Sequence, residues 1–106
     1  MTRLEALVAL NLSGEISSIR LNKLLKFFGR PQDILKGSYG ELTAVSGIGP
    51  GIANKIRAVS SHALEREFTL AHELGLKIIT LEDASYPQNL KEIPDAPIVL
   101  YVKGKL

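Results

Sequence analysis

Val45-Ser46-Gly47-Ile48-Gly49-Pro50-Gly51-Ile52-Ala53-Asn54-Lys55-Ile56 is the stretch from which the fold is read. Two glycines bracket one apolar residue, and an amphipathic pattern starts directly behind them. Without a Cβ, Gly47 and Gly49 are free to take positive φ and turn the chain tightly. Pro50 suits the first position of a helix, where a missing N–H costs nothing. The amides of Gly49, Gly51 and Ile52 are then expected to lack partners, and with the helix dipole they form a place that suits a phosphate. Leu42 and Val45 upstream, and Ala53 and Ile56 downstream, repeat at helical spacing. The unit reads helix, two-glycine hairpin, helix.

Working outward toward the N-terminus, Thr2 and Glu5 form a capping box that opens a helix through about Leu12, stopped by Ser13-Gly14. Ser17 or Ser18 is expected to cap a second helix that closes at Gly29. Leu21, Leu24, Leu25 and Phe28 share one face of it, with Arg20, Lys23, Lys26 and Arg30 opposite. Phe27-Phe28 is assigned mostly to the core, and the scattered aromatics make no stacking platform. Pro31 begins a short helix through Leu35, and Ser38 with Glu41 forms a second capping box. Beyond the hairpin, Ser60-Ser61 interrupts the helical pattern, and Leu64, Phe68, Ala71 and Leu74 carry an apolar stripe to Gly75. "LLKFFGRPQDIL" pairs with "LTAVSGIGPGIA" as a worn and a well-formed copy of one unit; the worn copy lacks the second glycine and is expected to pack rather than bind.

After Gly75 the pattern changes. Lys77–Leu81 and Pro97–Lys103 are short, β-branched and apolar, and read as strands. A helical turn or two is expected between them from about Pro87. Val99 to Val102 is apolar throughout, which suits a strand buried on both faces of a parallel sheet. Two strands cannot cover themselves, so the chain is expected to be a piece cut at Lys105-Leu106, inside or at the edge of a larger α/β domain. The domain division expected is 1–74, helical, and 75–106, the start of a second unit.

Composition narrows the chemistry. The 106 residues contain no Cys, which removes disulfides and thiolate metal sites. No apolar run reaches membrane-spanning length and no secretory leader is evident, so a cytoplasmic setting is expected. Net charge is only +2, yet seven basic residues lie between Arg20 and Arg57 against Asp33 and Glu41 alone. Basic charge is concentrated around the hairpin, as backbone neutralisation of a nucleic acid requires. His62 and His72 do not share a helical face, and no paired acidic ligand accompanies them, so neither a metal nor an enzyme's active site is expected.

Leu42, Val45, Gly47, Ile48, Gly49, Ala53 and Ile56 together resemble the helix-hairpin-helix (HhH) motif of DNA-repair and recombination proteins. The resemblance implies a backbone phosphate held without sequence reading, often with a monovalent cation on the hairpin carbonyls. The tail, "LGLKIITLEDASYPQNLKEIPDAPIVLYVKG", is similar to the start of the Rossmann-like domain in the DNA-processing protein A family (DprA/Smf). Gly75, Ile79, Asp83, Tyr86-Pro87, Leu90, Ile93, Pro94, Pro97, Leu100-Tyr101 and Gly104 carry that likeness.

The fold so implied is mainly α: a tandem HhH (SAM-like) helical domain followed by the first strands of a truncated Rossmann-like domain. The function implied is binding of single-stranded DNA and assistance in loading the recombinase RecA during natural transformation, without catalysis. Carried onto this chain, the DNA contacts are Gly47, Ile48, Gly49, Gly51, Ile52, Lys55 and Arg57, with Lys23, Lys26 and Arg30 alongside. No cofactor is implied beyond the hairpin cation, and no membrane; a homodimer of the full-length protein is. Two alternatives stand beside this: a protein-interaction, dimerisation or scaffold module with no DNA contact of its own, and an HhH domain of a repair nuclease of the UvrC or XPF kind. The α/β tail speaks against the nuclease.

Overall fold

The computed structural model describes residues 1–104; Lys105 and Leu106, where the sequence reading places the edge of a larger domain, lie outside the described residues. The order is α1 (Arg3–Leu12), α2 (Ser18–Phe28), α3 (Pro31–Leu35), α4 (Tyr39–Thr43), α5 (Pro50–Ala58), α6 (Ser61–Glu73), β1 (Leu76–Thr80), α7 (Gln88–Lys91) and β2 (Val99–Lys103). The protein is mainly helical with one small sheet.

Local chemistry sets most of these boundaries. Thr2 and Ser38 each accept from the backbone N–H three residues on, and Glu5 and Glu41 return the bond to the cap residue's N–H. Pro31 and Pro50 open α3 and α5 at their first positions. Ser60 caps α6 by accepting from Ala63 N–H at 3.0 Å, which makes the Ser60-Ser61 break a fresh helix start. In α1, five consecutive residues, Ala6 to Leu10, are buried. A helix buried on every side lies at the centre of its domain, and α3, α6 and β2 surround this one.

The start of α2 departs from expectation. Ser17 occupies the cap position, but its side chain caps nothing. Asp95, far along the chain, accepts from Ile19 N–H at 3.2 Å instead. Ser18 binds the same distant segment twice, donating its N–H to the Ala96 carbonyl and accepting from Ala96 N–H, both at 2.9 Å.

The sheet also corrects the sequence reading. β1 and β2 pair antiparallel, with Leu76 opposite Lys103 and Thr80 opposite Val99, not as neighbours in a parallel sheet. A parallel pair needs a crossover of a dozen or more residues that packs back on the sheet, usually a helix. The connection here, residues 81–98, is long enough to cross over but holds only the four-residue α7, and it folds back through a turn in which Asp83 accepts from Thr80 N–H at 2.7 Å. Only Val99 of β2 is fully buried; Leu100 to Val102 are half-buried. Leu74, assigned to the α6 stripe, is 54% exposed. Tyr86 sits in the connection, buried, and donates its hydroxyl to the Pro97 carbonyl at 2.8 Å.

Helices and tail share apolar packing. Ile98 and Val99 lie in the same core cluster as Leu7, Leu10, Leu24, Ile34 and Ile56. Arg3 clamps Glu82 with two bonds of 2.6 Å across the surface between α1 and the connection.

Candidate nucleic-acid interface

The bend between α4 and α5 is built by one glycine in the left-handed region, not two. Gly47 has φ +87°, whereas Gly49 is extended at φ −85°, ψ 179°. The reason is division of labour: Gly47 makes the turn, and Gly49 is the cap residue of α5, a position with extended backbone. Its carbonyl accepts from Ala53 N–H at 3.0 Å. Between them Ile48 is driven inward and buried, and its N–H donates to the Val45 carbonyl at 3.1 Å. Ile48 therefore anchors the hairpin to the core, and its amide is committed.

The N–H groups of Gly49, Gly51 and Ile52 find no acceptor among the described residues. A glycine at the cap position has no side chain to satisfy them. The space before them is open: a Cβ added at Gly49 or Gly51 would meet nothing within 4 Å. The first turn of α5 thus presents unsatisfied donors at the positive end of a nine-residue helix.

Basic side chains stand beside this turn, and they are not all those expected. Lys23 of α2 lies over the hairpin, its ammonium 3.4 Å from where a Cβ on Gly47 would be. Arg20, one turn earlier, donates to the Gly47 carbonyl at 3.3 Å and to the Glu15 carbonyl at 3.0 Å, tying the α1–α2 loop to the hairpin. Lys55 pairs with the Glu15 carboxylate at 3.0 Å. Lys26 is exposed on α2. Arg30, which precedes α3, is engaged with Asp33 through two 3.1 Å bonds, and that guanidinium holds the Asp33 carboxyl below its usual range. Arg57 lines a cleft with Gln32, Lys36 and Ser60, between α3 and the start of α6. The geometry thus joins Arg20, Lys23, Lys55 and Glu15 to the hairpin.

Two features escaped the sequence reading. In the sequence Arg20 is one of four basic residues opposite the apolar face of the second helix, with no sign that it holds the hairpin. Phe27, expected in the core, is 52% exposed. The helical wheel carries the missing signal: Leu21, Leu24, Leu25 and Phe28 form the inner arc, and Phe27 falls one turn after Lys23, outside it.

The α2–α3 bend repeats part of this arrangement, with Gly29 at φ +88° and Pro31 opening the next helix. Among the described residues no three His, Cys, Asp or Glu side chains come close enough to hold a metal ion. No helix among the described residues is long and apolar enough to cross a membrane.

Residues 77–106 match the family model described as DNA recombination-mediator protein A. No curated protein and no solved structure matches the chain. The matched segment is the tail from β1 onward, the same stretch on which the sequence resemblance to the DNA-processing protein A family rests.

Proposed function

We propose that this chain, whose tail carries the DNA recombination-mediator protein A signature, binds the backbone of single-stranded DNA through its α4–α5 hairpin, without reading sequence. The observation that carries the reading is the set of unpartnered amides on Gly49, Gly51 and Ile52 at the head of α5, with Lys23 and Arg20 at the adjoining Gly47. A phosphate oxygen satisfies the amides, the helix dipole favours its charge, and Lys23 neutralises it. Lys55, Lys26, Arg30 and Arg57 extend the basic surface. In this reading the α2–α3 and α4–α5 bends are the worn and the working halves of a tandem HhH domain of SAM-like type, and β1 to β2 begins a Rossmann-like unit. The full-length protein then acts in the cytoplasm, delivering single strands to RecA in natural transformation, as a homodimer and without catalysis of its own. A monovalent cation at the hairpin would share the Gly47 carbonyl with Arg20.

The test is fluorescence anisotropy with labelled single- and double-stranded oligonucleotides across a salt series, on wild type, Lys23→Glu and Lys55→Glu. Affinity falls steeply with salt, and Lys23→Glu weakens binding about tenfold or more with a shallower slope. Identical curves for all three proteins would remove the hairpin from DNA binding.

One observation favours a second reading. Leu70 and Leu74 are exposed beside Leu76 and Tyr101, an apolar surface where α6 meets β1. A protein-docking or dimerisation module would use it. Concentration-dependent mass in light scattering, with no DNA binding at low salt, would select that reading.

A further inference from the structure

We infer that Phe27 is a base-stacking residue, which makes the hairpin surface selective for unpaired strands; the inference rests on the backbone-binding role proposed above. Arg20, Lys23 and Phe27 follow one another up one side of α2 at spacings of three and four residues. Side chains four apart on a helix have Cβ atoms about 5–6 Å apart. Phe27 therefore stands one turn beyond the lysine that lies over Gly47. A strand whose phosphate rests on the α5 amides places a neighbouring nucleotide within reach of that ring.

The ring is exposed but held. Phe27 packs edge-on against Phe28, with centroids 4.9 Å apart and planes at 62°. Phe28 in turn lies so close to Gly37 that a Cβ there would fall 2.8 Å from its ring. A glycine thus seats Phe28, and Phe28 props Phe27, which limits the ordering cost of stacking. The surroundings select the occupant: Lys23, exposed one turn before the ring, shares its side of the helix, and Lys26 is exposed on the same helix. An aromatic face one turn from a cation suits a nucleobase joined to phosphates. Duplex DNA keeps its bases stacked inside and offers the ring nothing.

The chain contains no Trp, so Phe27→Trp installs a single reporter. Its emission is followed while oligothymidylate, an abasic strand of equal length and a duplex are added, with binding measured separately by anisotropy. The expected result is quenching by oligothymidylate, with little by the abasic strand or the duplex. Phe27→Leu, folded by circular dichroism, loses about fivefold or more in affinity for oligothymidylate and keeps its affinity for duplex. Binding that leaves the tryptophan emission unchanged, or equal quenching by the abasic strand, overturns the stacking role and leaves the hairpin reading standing. Absence of binding to every nucleic acid defeats the hairpin reading, and the stacking role with it.

Discussion

At the scale of single residues, the hairpin shows how few side chains a backbone-binding site needs. Gly47 supplies the turn, Ile48 the anchor and Gly49 an uncapped helix start; the ligand-facing atoms are main-chain amides. Glu15 is the residue that opposes this design. Its carboxylate holds Lys55, a cation of the proposed DNA surface, at 3.0 Å. The pair is about half exposed on both sides, and exposed pairs contribute about 0–1 kcal/mol. Glu15→Gln is therefore expected to leave the melting temperature within about a degree or two of wild type while raising affinity for single-stranded DNA about two- to fivefold at low salt. Calorimetry and anisotropy on the same samples check both halves. The sequence was informative about Gly47 and Pro50 because their backbone chemistry is intrinsic. It was silent on Arg20 and Glu15, whose partners lie 27 and 40 residues away. Phe27 departs from the core expected for the Phe27-Phe28 pair because consecutive helical residues are 100° apart.

At the scale of elements, the caps divide into local and borrowed ones. Those of α1 and α4 lie within four residues of sequence and were legible. The cap of α2 comes from Asp95 and could not be read before the tail was placed. Hydrogen bonds from Ser17 and from Ile19 N–H hold the Asp95 carboxyl below its usual range. A carboxyl lowered in the folded state stabilises it at pH above the unfolded value, and that contribution is lost as pH falls through the folded value. Asp95→Ala is accordingly expected to melt a few degrees lower than wild type at pH 7, with the gap closing as pH falls below about 4. Thermal melts by circular dichroism at a series of pH values measure the gap. The antiparallel sheet is illegible for a related reason: a continuous apolar run reports burial, not strand direction, and the connection that decides the direction carries only a four-residue helix in place of a crossover helix.

At the scale of the whole molecule, helices and tail are packed on one another. Ile98 is fully buried among α1, α2 and α5 residues, and the 95–97 segment is bonded to the start of α2. Truncating it to Ala removes packed methylenes and costs about 2–5 kcal/mol. Ile98→Ala is therefore expected to lower the midpoint of the helical signal at 222 nm together with that of the tail amides by NMR. A helical midpoint unchanged by the substitution would mean two independently stable units. The tail thereby fixes α2, and α2 carries Arg20 and Lys23 to the hairpin; the segment with the family signature braces the surface proposed to hold DNA. That surface rests on amides left unsatisfied at the head of α5, and Gly49→Asp probes them most directly. The extended backbone at Gly49 accepts any residue, and an Asp there caps the helix with its own carboxylate. Measured by anisotropy against single-stranded DNA, with the melting temperature as control, Gly49→Asp is expected to melt at or slightly above the wild-type temperature and to bind at least tenfold more weakly. Undiminished affinity in a folded Gly49→Asp protein would contradict the role of these amides.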